Sequence, residues 1–166
     1  IESLDYTRAI DDANTVLNKN PDSIPARLVI AKAFILTSAE EEAETQLEEI
    51  AKRGEVAEYY KLRGMLAKRR GNDEEAKKDY EKFFQMAGGI PASAFEYAEF
   101  LESIDGGAAD AEAVYRAILK RYPESLFAER AKESLARLKP SSESTSEDAA
   151  FDSQPSSNIR PGNMKF

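Results

Sequence analysis

The sequence predicts an all-α fold, a right-handed solenoid built from helical hairpins. Two observations support this prediction. Small residues recur at nearly constant spacing, 34, 33 and 35 residues apart, at Ala9, Ala43, Ala76 and Ala111. Each interval contains two apolar patterns of helical period, separated by a short turn. A fixed period of this length is typical of folds in which one supersecondary unit is stacked several times.

The residues around these small positions repeat as well. The side chains four and seven residues after each of them are small, apolar or aromatic, namely Ala13 and Val16, Leu47 and Ile50, Tyr80 and Phe83, and Tyr115 and Ile118. A second set of small residues, spaced by 33 and 34 residues, consists of Ala31, Gly64 and Ala98. The second set therefore marks the first helix of each hairpin, and the set that begins at Ala9 marks the second helix.

The elements follow from this register. Residues 2–20 are predicted to form a second helix whose first-helix partner is missing, so we expect further repeats upstream in the parent protein, or a partner or second copy covering its open face. Full repeats are predicted near residues 24–56, 57–90 and 91–124. Leu126 to Leu138 is then expected to form an amphipathic capping helix, because repeat arrays need a closing unit with a polar outer face.

Turn and capping residues separate the two helices of each repeat. The turns contain Thr37-Ser38, Gly71-Asn72 and Asp105-Gly106-Gly107. We expect Ser38 with Glu41, and Asn72 with Glu75, to begin the second helices of the first two full repeats, because a short polar side chain followed three residues later by Glu can satisfy free backbone N–H groups.

The composition changes abruptly at Lys139. Residues 139–166 are rich in Ser, Pro and acidic residues and contain almost no aliphatic side chains. Such a segment cannot bury enough surface to offset the entropy of ordering it. The sequence therefore predicts a repeat domain at 1–138 and a flexible tail at 139–166.

The composition also excludes several classes of function. The 166 residues include 31 acidic and 23 basic side chains, a net charge of -8, with no His and no Cys. Without imidazole or thiol the usual nucleophile systems, zinc and haem sites and disulfides are excluded, and we expect no cofactor. The acidic balance argues against nucleic-acid binding. The longest apolar stretch, Leu28 to Leu36, is too short to insert into a membrane.

An enzyme would have to rely on pairs of carboxylates such as Glu96 and Glu99. Glutamate-rich helices produce such pairs everywhere, and this fold is not expected to form a deep pocket. We therefore predict that the protein is not an enzyme.

In one repeat, five residues have the spacing of the characteristic positions of a known repeat family, namely Tyr60, Gly64, Gly71, Ala76 and Tyr80. In this respect the chain resembles the tetratricopeptide repeat (TPR) family, over residues 1–138. The chain departs from the family's pattern in four places: Arg63 stands where an apolar residue is usual, Glu55 and Gly88 replace the closing Pro, and the third full repeat has one extra turn residue.

Residues 122–125, with the small residues of the last helix, also resemble repeat proteins of the bacterial envelope. This resemblance favours the periplasm or envelope over the cytoplasm for a soluble protein, and leaves the compartment otherwise open.

In a stack of helical hairpins the first helices line a concave groove, where function of this class usually resides. The residues predicted to line it are Leu28, Lys32, Ile35, Lys61, Met65, Lys68, Arg69, Phe95 and Glu99. Its basic centre, Lys61, Lys68 and Arg69, is expected to hold an acidic side chain or a C-terminal carboxylate, and its apolar residues to hold apolar side chains.

The predicted function is a non-catalytic scaffold that binds a peptide segment of a partner protein in this groove, in a bacterial envelope assembly. The alternative is a self-assembling homo-oligomeric module, in which the predicted helix at residues 2–20 and the open repeat face pair between copies of the chain. In a mixed version, the tail at 139–166 occupies the groove of its own chain. A simpler interpretation is that the charged residues of the groove form solvated ion pairs between neighbouring repeats.

Overall fold

The computed structural model describes residues 2–138, and these residues form helices and turns without a strand. The helices are α1 Glu2–Lys19, α2 Ile24–Leu36, α3 Glu40–Ala51, α4 Ala57–Arg69, α5 Asp73–Met86, α6 Pro91–Glu102, α7 Ala108–Arg121 and α8 Leu126–Arg137. The predicted all-α fold of helical hairpins is confirmed, and each predicted repeat contains one first helix and one second helix. The predicted tail at 139–166 lies outside the described residues.

One of the two predicted caps is confirmed. The Asn72 side-chain oxygen accepts a hydrogen bond from the Glu75 backbone N–H (3.2 Å), and its amide donates to the Glu75 carboxylate (2.9 Å). The cap predicted at Ser38 is wrong, because α3 begins after Ala39 and has no side-chain cap. Ser38 instead has a positive φ of 64° in the turn that ends α2, and its hydroxyl accepts a hydrogen bond from Arg69.

The described residues divide into two compact units, unit 1 at residues 2–93 and unit 2 at residues 94–138. In unit 1 each helix from α1 to α5 packs on the next, and the first helices α2 and α4 also pack on each other. The main buried cluster joins α2, α3, α4 and α5 through Ala31, Ile35, Ala43, Leu47, Ile50, Tyr59, Tyr60, Leu62, Leu66 and Phe83. A smaller cluster, Ala13, Ala26 and Ile30, joins α1 to α2.

The recurring small residues allow the helices of unit 1 to approach closely. Ala31, Ala43 and Ala76 are each 0% exposed. At Gly64 a Cβ atom would lie 2.7 Å from the Tyr80 ring and 3.2 Å from the Asp79 Cβ. Glycine is therefore required at this crossing of α4 and α5, since a larger residue would force the two helices apart.

Arg63, the residue that departs from the repeat pattern, binds a buried carboxylate. Asp79 on α5 is 1% exposed and accepts two hydrogen bonds from the Arg63 guanidinium, one of them from Nε at 2.7 Å. The guanidinium also stacks on Tyr59 and Tyr60, with Cζ 5.4 and 5.1 Å from the ring centroids. A charged residue occupies this normally apolar position because the facing helix supplies the charge that compensates it.

Unit 2 is organised around Tyr115 of α7, which is 0% exposed. Its ring lies 5.4 Å from that of Phe95 on α6, and its hydroxyl donates to Glu102 (2.9 Å). Helix α8 packs on α7, and its inner side consists of Ala128, Ala131 and Ser134.

Candidate functional site

One side of α2 remains exposed although the helix is largely apolar. Its exposed residues are Pro25, Val29, Lys32 and Leu36, which share one face because they are four, three and four residues apart. Val29 is 45% exposed and Leu36 is 40% exposed. An apolar helix that keeps two aliphatic side chains in solvent beside a lysine presents a surface suited to a partner.

Helix α4, which packs beside α2, contributes a basic end. Met65 and Lys68 are half-buried, and Arg69 is exposed. The Arg69 guanidinium donates to the hydroxyl of Ser38, two residues beyond the end of α2, so Arg69 lies near Leu36. We call the surface formed by Val29, Lys32, Leu36, Met65, Lys68 and Arg69 the α2–α4 face.

The basic residues at the end of α4 differ in how far acids compensate them. Arg70 lies 2.7 Å from Glu44 and 3.3 Å from Glu40, and its hydrogen bond to Glu44 lowers the pKa of that carboxyl. Arg69 has a neutral hydroxyl as its hydrogen-bond partner, and its Nε lies 4.0 Å from Glu40. Arg69 is therefore the less compensated of the two and the better placed to attract a carboxylate from a partner.

The predicted groove residues differ in how far they reach the surface. Lys32, Met65, Lys68 and Arg69 reach the surface. Leu28 is half-buried and packs against the main cluster of unit 1. Lys61 is only 16% exposed along its side chain, with Nζ 2.9 Å from Glu58 and 5.2 Å from the centroid of the Phe83 ring. Lys61 is thus held within its own unit.

Two predicted groove residues are buried, which corrects the prediction that their side chains face a partner. Ile35 is 1% exposed because it lies on the side of α2 that joins the main cluster. Phe95, in unit 2, is 2% exposed because two side chains of α8 cover it. The Phe127 ring centroid lies 5.7 Å from the Phe95 ring centroid, and the Arg130 Cζ lies 4.1 Å from it. Glu99 remains exposed, 3.4 Å from Arg130.

Val29 is not among the predicted groove residues. A signal was available, because Val29 is three residues before Lys32 and seven before Leu36, so the three share one helical face. Ile35, one residue before Leu36, lies instead on the buried side of α2.

None of the helices in the described part of the chain is both long and apolar enough to cross a bilayer.

No family model matches the sequence. No curated protein matches it either. Solved structures do resemble its fold. A thermophilic TPR protein from Thermus thermophilus, TTC0263, superposes with a TM-score of 0.66 at 18% identity, over 76% of this chain and 71% of that one.

Two structures of MamA superpose with TM-scores of 0.59 and 0.57, both at 17% identity. Each likeness covers 81% of this chain, and 77% and 72% of the respective MamA chain. At these identities the likeness concerns the fold, and with the repeated hairpins it shows that the chain has the tetratricopeptide-repeat fold.

Proposed function

We propose that the protein is a non-catalytic interaction scaffold that binds a peptide segment of a partner protein on the α2–α4 face. The fold is one that supports protein-interaction scaffolds in general. The observation that favours this face is the exposure of Val29 and Leu36, at 45% and 40%, on either side of Lys32. The resemblance at residues 122–125 adds a bacterial envelope assembly as the proposed setting.

The chemistry of the face defines the ligand class. Val29, Leu36 and Met65 offer apolar contacts, and Lys32, Lys68 and Arg69 offer cations beside them. A peptide with aliphatic side chains and nearby carboxylates complements this surface, with apolar burial providing affinity and charge fixing its register. Because the charged contacts are exposed, binding should weaken as the salt concentration rises.

Site-specific photo-crosslinking tests this proposal. A photoreactive phenylalanine derivative replaces Val29 on the face, and in a second chain it replaces Glu48, which is exposed on α3. A partner captured from the source cell at position 29 and not at position 48 is then purified and bound to the unmodified chain.

Charge reversal supplies the second readout. Lys68→Glu with Arg69→Glu should abolish binding of the purified partner and leave the helical content unchanged. The matched control is Lys19→Glu with Lys78→Glu, which makes the same change in charge at exposed sites on α1 and α5. Equal binding by the two double variants would refute the α2–α4 face as the site.

The second candidate function is self-assembly of copies of this chain. Its supporting observation is Val16 on α1, an aliphatic side chain that is 47% exposed. Association that depends on concentration is the corresponding test.

A further inference from the structure

The side chains of the α2–α4 face can donate hydrogen bonds but can hardly accept them. Its polar side chains are donors alone, namely Lys32, Lys68 and Arg69. Among the others only the sulfur of Met65 can accept a hydrogen bond, and it does so weakly. The hydroxyl of Ser38, at the edge of the face, already accepts from Arg69. Backbone N–H groups that a partner brings to this face therefore find few acceptors among its side chains.

The backbone carbonyls at the ends of the two helices are occupied as well. After α2, the N–H groups of residues 37–39 donate at 2.9 to 3.2 Å to carbonyls of that helix, namely those of Ala33, Phe34 and Ile35. After α4, the N–H groups of residues 70–72 donate at 2.9 to 3.1 Å to its carbonyls, namely those of Leu66, Ala67 and Lys68. The turns thus use carbonyls that would otherwise be open to a partner. Residues 2–138 also contain no strand to whose edge a peptide could add.

This shortage of acceptors bears on the conformation of the partner. An extended peptide carries N–H groups along its whole length, and each one that is buried without an acceptor lowers its affinity. An α-helix pairs its N–H groups with its own carbonyls and presents side chains to its surroundings. Hydrogen bonding therefore favours a helical segment on the α2–α4 face.

The spacing of the exposed aliphatic residues favours a helix too. Val29 and Leu36 are seven residues apart, which is about 10.5 Å along α2. Residues seven apart on a partner helix span the same distance and lie on one side of it. Residues three apart in an extended strand span nearly as much, but their side chains point to opposite faces. A polyproline helix would keep them on one side, but such helices dock on aromatic side chains, and the face has none.

The cations of the face define the polar positions of such a helix. Lys32 is exposed three residues after Val29 and four before Leu36. An acidic residue between the two apolar residues of the partner would therefore face Lys32. Helix α4 packs beside α2 and adds Lys68 and Arg69 on a second stripe, so a helix laid along α2 meets positive charge on two sides.

We propose that the partner segment binds the α2–α4 face as an acidic amphipathic α-helix. Two aliphatic residues seven apart contact Val29 and Leu36, and a carboxylate three or four residues after the first of them contacts Lys32. This inference rests on the proposed function and adds the conformation and the register of the bound segment.

Three synthetic peptides test it against the full chain. All are alanine-rich, about 18 residues long and equal in charge. The matched peptide has two leucines seven residues apart, with glutamates three and four residues after the first leucine. In the rotated peptide the leucines are nine residues apart, which places them on opposite sides of the helix. The broken peptide is the matched one with a proline midway between the leucines.

Fluorescence anisotropy of the labelled peptides gives the dissociation constants. The matched peptide should bind at least about tenfold more tightly than the rotated one, which can bury a single leucine, and than the broken one, which cannot form the helix. The Cα chemical shifts of the ¹³C-labelled matched peptide should be helical in the complex.

Charge exchange at Lys32 tests the register. Lys32→Glu should weaken binding of the matched peptide about fivefold and should strengthen binding of a version with lysines in place of its glutamates. The matched control is Lys19→Glu, which makes the same change at an exposed lysine of α1 and should alter neither affinity.

Three results would overturn the helical partner and leave the proposed function standing. The broken peptide could bind as tightly as the matched one. The matched peptide could fail to bind. A peptide selected from a random library could shift the methyl signals of Val29 and Leu36 while its own Cα shifts are those of an extended chain. The proposed function fails by a separate result, which is normal binding of the purified partner to the chain with Lys68→Glu and Arg69→Glu.

Discussion

Replacing Arg63 with leucine should destabilise unit 1 strongly. The Asp79 side chain is 2% exposed, and the Arg63 guanidinium that binds it has a side-chain exposure of 39%. The hydrogen bonds to Asp79 raise the pKa of Arg63 above its ordinary value, so the arginine stays charged throughout. Without that guanidinium the carboxylate remains in the core with no cation beside it.

The expected cost follows from this burial. Removing one partner of a buried ion pair costs about 3–5 kcal/mol. Because Arg63 is half-exposed, water can enter the space that its removal leaves. The expected loss of unfolding free energy is therefore at the lower end of this range, about 3 kcal/mol. Replacing both residues with leucine also removes the buried charge and should leave the protein within about 1 kcal/mol of the original. The pair should therefore show a coupling of about 2 kcal/mol or more in a double-mutant cycle.

Urea unfolding followed by circular dichroism measures these differences. With a denaturant slope of about 2 kcal/mol/M, Arg63→Leu should lower the midpoint by about 1.5 M. The matched control is Arg69→Leu, since Arg69 has the same side-chain exposure of 39% but binds a neutral hydroxyl. It should cost less than about 0.5 kcal/mol. Equal stability of the two single variants, or a double replacement no more stable than Arg63→Leu, would contradict a buried Arg63–Asp79 ion pair of this strength.

Three further predictions concern packing and pH. Gly64→Ala would place a methyl group 2.7 Å from the Tyr80 ring and should cost about 1–3 kcal/mol in urea unfolding; a neutral result would contradict the close approach of α4 and α5. Burial raises the pKa of Tyr115 from 10.0 to about 12, so the folded protein should lose stability as the pH rises from about 10 to 12. The loss should be smaller in Tyr115→Phe, and equal losses would contradict the assignment. Hydrogen bonds from Lys52 and Arg53 lower the pKa of Glu49 from 4.5 to about 2. The stability that Glu49 contributes is therefore present above pH 4.5 and lost as the pH falls towards 2, and Glu49→Gln should remove this part of the acid dependence of the urea midpoint.

The fold could be predicted because the repeat is redundant. Every repeat carries small residues at the helix crossings, and turn residues between them, so an error at one position is corrected by its equivalents. Arg63 is the instructive exception, since it departs from the apolar pattern and the reason lies 16 residues away in Asp79. A sequence pattern records periodicity but does not record which polar residue on a neighbouring helix compensates a charge.

The exposure of the predicted groove residues was harder to predict than the fold, for two physical reasons. Helix α2 is apolar on nearly all sides, so its hydrophobic pattern is weak, and only the spacing from Lys32 indicates that Val29 and Leu36 are exposed while Ile35 is buried. The pattern of α6 alone places Phe95 in a groove, and only the packing of α8 shows that Phe127 and Arg130 cover it.

The cap predicted at Ser38 failed because that residue ends α2 in a left-handed conformation.

Methyl NMR spectroscopy of the full chain tests the α2–α4 face most directly. Peptides are first selected from a random library on the immobilised protein, and the tightest binder is titrated into protein labelled at its valine, leucine and isoleucine methyl groups. We predict an acidic peptide with aliphatic residues, and signal changes concentrated at Val29 and Leu36. The signals of Val16 on α1 and Val114 on α7 should stay in place. Changes centred on any other surface, with Val29 and Leu36 unaffected, would contradict the proposed function.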